Sequence, residues 1–235
     1  MFFIDWTYIV LVIPFMILSM IASMRVNSSF NKYSKVYSRR NITAAEAARK
    51  VLEDNGVFGV TIERVGGHLT DHFDPKSNTI RLSEKVYDST SVASIGVACH
   101  EAGHAVQHAV GYIPVKIRTA IVPITNIGSR LSIPLIFIGI ALSYLGSVYS
   151  MIAYIGVALF SLCVIFQLVT LPTEFNASRR AINALSIYGI LDQDEIVGAK
   201  KVLSAAAMTY VAALAVSVMQ LFRLFLLVSN TRRRN

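Results

Sequence analysis

Two histidines four residues apart flank a glutamate in Cys99-His100-Glu101-Ala102-Gly103-His104-Ala105. On a helix, residues four apart share a face one turn up, so His100 and His104 can turn their imidazole nitrogens toward one metal ion. Glu101 sits beside them, where it can take a proton from an attacking water. This is the H-E-x-x-H arrangement of a zinc hydrolase, with one zinc per chain as the implied cofactor.

A catalytic zinc uses three protein ligands and keeps a position open for water. His108 continues the every-four spacing, but it lies about 12 Å along a straight helix from His100. Metal bonds of about 2 Å cannot reach all three histidines. The metzincin pattern would place its third histidine at Val110, where there is none. His108 therefore reads as a helix-face residue. Glu174 is a candidate third ligand, being the first acidic residue after Glu101 and expected at the start of a helix. A carboxylate is also favoured at a helix N-terminus without any metal. Spacing leaves both readings of Glu174 open.

Something must bring these distant residues together, and the composition says where. Of the 235 residues, 54% are hydrophobic, and mean hydropathy is +0.55. That is too apolar for an ordinary soluble domain. Apolar runs at 6–24, 133–149, 151–171 and 208–228 approach the roughly 18 to 20 residues that cross a bilayer. The expectation is a mainly α integral membrane protein with about four transmembrane helices.

The formal charge is +8, yet its placement argues for topology rather than nucleic acid. Arg25, Lys32, Lys35, Arg39 and Arg40 follow the first run, with no acidic residue between Asp5 and Glu46. Basic residues beside a span mark a cytoplasmic face. The N-terminus is then outside, and the expected location is a bacterial cell membrane. Membrane lipid and a peptide or protein substrate are the expected partners, and nucleic acid is not. Oligomeric state is not legible. Cys99 and Cys163 are the only cysteines, too few and too apolar in setting for a disulfide framework.

The chain divides into an N-terminal anchor (1–24), a catalytic region carrying the motif helix (25–118), a membrane hairpin (119–171), a helical region with Glu174 (172–207), and a C-terminal apolar helix with a basic tail (208–235). Within the catalytic region, Thr43 and Glu46 form a capping-box signature. Strands are expected at 57–65 and 79–82, separated by a turn at 74–78, and Ser91 can cap the motif helix, which ends near Gly111. The strand at 79–82 could offer an edge to an extended substrate. Pro114, Pro123 and Pro134 suggest a broken or interfacial approach at 113–132. Gln220 and Arg223 interrupt the last run, which could span, lie shallow, or pack with Arg223 facing protein. Two hairpin crossings return the chain to one side, so His100, His104 and Glu174 share a face.

Four ordered stretches carry a family resemblance: Thr70-Asp-His-Phe-Asp-Pro75, Ala98-Cys-His-Glu-Ala-Gly-His-Ala-Val-Gln107, Leu171-Pro-Thr-Glu-Phe-Asn-Ala-Ser-Arg-Arg-Ala181 and Leu203-Ser-Ala-Ala-Ala-Met-Thr-Tyr-Val-Ala-Ala213. Over most of its length the chain resembles the YugP-like family of neutral zinc metallopeptidases. That family looks related to the membrane gluzincins of the HtpX and CAAX-prenyl-protease group. The resemblance implies a gluzincin-like α+β metalloprotease domain and membrane metalloendopeptidase activity. It also implies zinc held by His100, His104 and Glu174, with Glu101 as base. In that group the glutamate ligand is followed by alanine and usually aspartate. Here Ala177 matches the alanine, while Ser178 replaces the aspartate, so no carboxylate is present to support a ligand from behind.

Several further residues are candidates. His72 could hydrogen-bond the reacting carbonyl, or pair with Asp71 or Asp74 as part of a turn; His68 is a weaker version of the same idea. Tyr210 could donate to an oxyanion or anchor a membrane interface. Arg179 and Arg180 mark the cytoplasmic face, or one of them supports the site. Two rival functions differ in class. A site-2-type intramembrane protease would need an aspartate third ligand, and Asp192 and Asp194 lie in a polar stretch. A non-catalytic zinc-binding scaffold would have no use for Glu101.

Overall fold

In the computed structural model, which describes residues 5–67 and 70–234, the long apolar runs become long helices. Four are long and apolar enough to cross a membrane: Trp6–Tyr33, Ile113–Leu145, Ser150–Ile187 and Gln193–Thr231. The protein is a mainly α integral membrane protein. The first crossing segment is made of α1 (Trp6–Leu11) and α2 (Ile13–Tyr33), and Asp5 caps α1 by accepting from the Tyr8 amide.

Proline does not break the later spans. Pro123 and Pro134 lie inside one helix of 30 residues, α6 (Ile113–Leu142), so the expected interruption at 113–132 is absent. An unsatisfied backbone group in an apolar medium costs several kcal/mol, roughly 2–7 by transfer measurements. A helix therefore continues through a proline that removes only one of its bonds. For the same reason α7 (Ser150–Ile187) runs through Pro172. Glu174 consequently sits well inside α7 and does not open a helix, which removes the helix-terminus explanation for its presence.

The last apolar run belongs to α8 (Gln193–Arg234), which passes through Gln220 and Arg223 without interruption. Arg223 is buried. Its Nε donates to Asp5 Oδ1 at 3.0 Å, and its guanidinium lies over the Tyr8 ring at 4.9 Å. Pairing and protein burial are how an intramembrane charge is tolerated.

The chain separates into two compact units. The first comprises Met1–Ile21, Ile117–Leu171 and Thr209–Asn235, the apolar parts of the crossing helices. Ile136, Ala153, Val157, Leu224 and Val228 form its core. Gly139 makes that packing possible, since a Cβ there would lie 2.2 Å from the Ala153 amide nitrogen.

The second unit comprises Ala22–Lys116 and Pro172–Met208. Helix α3 (Ala44–Asp54) begins with the full capping box between Thr43 and Glu46. A small sheet follows, of β1 (Thr61–Val65), β2 (His72–Asp74) and β3 (Thr79–Ser83), in the order β1-β3-β2. Strand β3 is parallel to β1 and antiparallel to β2. Both edges of β3 are thus used, so the strand at 79–82 has no edge for a substrate; β1 and β2 are the outer strands. Three residues are too short to show a period of two, which is why β2 is invisible in the sequence. The turn after it is held by Asp74, which accepts from the Lys76 amide and the Ser77 hydroxyl. Those bonds, first from Ser77, and the Arg81 guanidinium hold its carboxyl at about 2. After the short α4 (Glu84–Tyr87), α5 (Val92–Ala109) carries the motif, capped by Ser91. Leu52, Ile80, Leu82, Ile95 and Leu185 are fully buried around it. Cys99 joins this core, and burial pushes its thiol up, so it is an apolar packing residue.

Candidate metal centre

One face of α5 and the post-proline part of α7 meet in the second unit, and that contact assembles three donor groups. The Nε2 atoms of His100 and His104 lie 3.1 Å apart. Glu174 Oε2 is 3.4 Å from the first and 3.5 Å from the second. Four-coordinate zinc with bonds of about 2.0–2.1 Å has ligand-to-ligand separations of roughly 3.3–3.4 Å, the edges of its tetrahedron. The three atoms therefore outline one face of a zinc tetrahedron, and the residues fit the metal. They are also well enclosed: 14% and 15% of the histidine side chains and 3% of the glutamate side chain are exposed.

The far side of each imidazole is anchored too. His100 Nδ1 lies 3.1 Å from Ser178 Oγ, and His104 Nδ1 lies 3.0 Å from Gln107 Oε1. With Nδ1–H donating outward, a neutral imidazole keeps its Nε2 lone pair for a cation shared with Glu174; when protonated, the same Nε2–H donates to Glu174 instead. Metal-binding histidines are oriented in this way by their second nitrogen. Gln107, fully buried, donates its amide to the Thr173 carbonyl at 2.8 Å and to Asn176 Oδ1 at 2.9 Å. Arg180 Nε reaches the same Asn176 oxygen at 2.9 Å. A chain of hydrogen bonds thus runs from His104 on α5 to Arg180 on α7. Gln107→Leu and Ser178→Ala should each weaken zinc binding by roughly 10–100-fold while the fold persists, as measured by competition with a chromophoric chelator.

The helices approach this closely because of a glycine inside the motif. A Cβ on Gly103 would lie 2.8 Å from the Ala177 carbonyl oxygen. Gly103→Val should destabilise the protein by about 1–3 kcal/mol through overpacking. A lowered thermal midpoint together with reduced zinc content would register the forced separation.

Electrostatics also suit a cation. Burial opposes charge on His104, but its hydrogen bond to Glu174 and the charge of Glu101 outweigh that, raising its pKa above the usual imidazole value. Protons therefore compete for this nitrogen at higher pH than in free histidine, and metal uptake weakens as pH falls through that range.

Glu101 stands one residue from His100 on α5 and is 8% exposed. Its Oε2 accepts from the Phe73 backbone amide of β2 at 2.9 Å. Residues 8–229 match a family described as "Putative neutral zinc metallopeptidase". The chain belongs to this family. A relative from Bacillus subtilis (strain 168), described as "Putative membrane protease YugP", is 46% identical over 228 residues, covering 97% of this chain and 99% of the relative. No solved structure matches the chain.

Among the described residues, His100, His104 and Glu174 make up the group of donor atoms that could share one ion. His72 is exposed on β2, its Nδ1 2.7 Å from the Thr70 carbonyl. It does not pair with the neighbouring aspartates. Asp71 accepts from the Ser83 amide and hydroxyl, and Asp74 closes its own turn. His68 lies outside the described residues. His108 is exposed at the end of α5, its ring edge-on to Phe73 at 6.0 Å. Tyr210 is on the α8 segment of the membrane unit. Of the arginine pair, Arg180 joins the Asn176–Gln107 chain. Gln107 stands three residues after His104, on the neighbouring helix turn, and that spacing is the signal in the sequence for its contact with the imidazole. The Phe73 amide left no trace in the sequence at all.

Proposed function

We propose that the protein is a membrane-bound zinc-dependent metalloendopeptidase of gluzincin-like design, with its site near the cytoplasmic surface. The observation that carries this reading is the near-equilateral triangle of His100, His104 and Glu174, with Glu101 adjoining it. Zinc held there would polarise a peptide carbonyl and bring the pKa of a water toward about 7. Glu101 takes the proton of the attacking water and passes it to the departing amine. Ser178 and Gln107 hold the two imidazoles in the tautomer that leaves Nε2 available.

The basic residues from Arg25 to Arg40 and the two crossings between the motif and Glu174 support a cytoplasmic orientation. Membrane lipid surrounds the crossing helices. An intramembrane protease with an aspartate ligand is not favoured, because Asp192 and Asp194 pair with Arg39 and Arg40. The test is cleavage of casein or a quenched peptide by detergent-purified protein, with zinc quantified in the same sample. Chelator-sensitive cleavage restored by zinc is the expected result. Stoichiometric zinc with no cleavage would replace this reading by the scaffold one.

A further inference from the structure

Strand β2 makes one contact that a sheet edge does not require. In its antiparallel pairing with β3, His72 lies opposite Arg81, Phe73 opposite Ile80 and Asp74 opposite Thr79. Ladder groups alternate direction along a strand, and the Phe73 N–H between them turns away from β3. It donates to Glu101 Oε2 at 2.9 Å. The Phe73 ring in turn meets the His108 ring at 6.0 Å, two turns further along the same helix as Glu101. Strand and helix are thus joined both at the carboxylate and at a ring contact beyond it.

We propose that Phe73 is a positioning residue for Glu101: its backbone amide clamps Oε2 so that Oε1 is the oxygen turned to the attacking water. This rests on the peptidase reading above and deepens it. The final torsion of a glutamate is broad and poorly defined by its own rotamers. A fixed donor removes that freedom, and a charged acceptor makes the bond stronger than a neutral one. His108, too far along α5 to join the metal ligands, packs edge-on against the Phe73 ring, and the clamp does not depend on that contact. Because the clamp is a main-chain group, residue 73 can vary in side chain and still supply it, and only loss of the N–H abolishes it.

Proline removes that N–H and little else. The amide is outside the β2–β3 ladder, and an outermost strand tolerates proline where the N–H faces away from the sheet. The preceding residue, His72, is already extended, as a residue before proline must be. Phe73→Pro should lower kcat at least tenfold, with KM within twofold and zinc content at the wild-type level. Phe73→Leu, which keeps the amide, should hold kcat within threefold. Wild-type kcat in Phe73→Pro, or equal losses in both variants, would overturn the proposal.

A spectroscopic measurement decides the clamp even if the proline variant folds poorly or no substrate is found. With phenylalanine labelled by 15N, the Phe73 amide proton, identified by its absence in Phe73→Leu, should move upfield in Glu101→Gln as a charged acceptor becomes neutral. An unmoved resonance would overturn the proposal. A zinc-loaded wild-type chain that cleaves nothing would instead remove the peptidase reading, and the amide shift would still report on the contact.

Discussion

Glu101→Gln should keep its zinc and lose peptide cleavage by about 10²–10⁴-fold, the usual contribution of a positioned general base. The substitution is nearly isosteric, and Glu101 is not among the three donors that face one another, so the metal face is left intact. A glutamine oxygen can still accept from the Phe73 amide, which keeps the side chain near its place. What it cannot do is bind the proton of the attacking water and return it to the leaving amine. Metal content by atomic spectroscopy and initial rates on a quenched peptide, measured on the same preparation, separate the two roles. Retained cleavage at wild-type rate would rule out Glu101 as the base, and lost zinc would mean that it shapes the metal face.

The second large effect is expected at Glu174. Glu174→Ala should drop bound zinc from about one per chain to a small fraction of that, and cleavage should fall with it, because a catalytic zinc rests on three protein ligands. Two imidazoles would remain, still oriented by Ser178 and Gln107, but without the anionic donor that balances the metal's charge. Glu174→Gln sharpens the comparison: it retains shape and one oxygen while removing the charge, so intermediate metal content is expected. Full zinc occupancy in Glu174→Ala would take Glu174 out of the ligand set.

The motif helix was legible because its signals are local. Ser91, the four-residue histidine spacing and the stop signalled near Gly111 all act within a few residues, and α5 is capped by Ser91 and ends at Ala109. The same holds for the capping box at Thr43 and the turn at 74–78. The apolar runs were legible as crossing helices because bilayer thickness sets a length that composition reveals directly. Where proline signals a helix end, the helices continue. Proline's local preference is weaker than the cost of leaving backbone groups unpaired among apolar neighbours, so α6 and α7 run on.

Glu174 shows the division most clearly. Its residue type and the family motif nominated it, but spacing could not distinguish a ligand from a helix-terminal carboxylate. Its position within α7 removes the second option, and the 3.4 Å and 3.5 Å separations from the histidines are set by how tightly α5 and α7 pack. That packing depends on Gly103 meeting Ala177 backbone, a contact between residues more than seventy positions apart.

By itself, then, the sequence determined the membrane class, the helix that carries the motif, and the chemical types of the donors and the base. These follow from periodicity, length and side-chain chemistry, all of which act over short stretches of chain. Only the tertiary structure decided which atoms face one another. It put Ser178 and Gln107 behind the imidazoles, gave β3 no edge, left β1 and β2 outermost, and turned the Phe73 amide onto Glu101. A main-chain donor has no residue type to read, and an approach of two helices to within a methyl group has no local signal. Both are properties of packing.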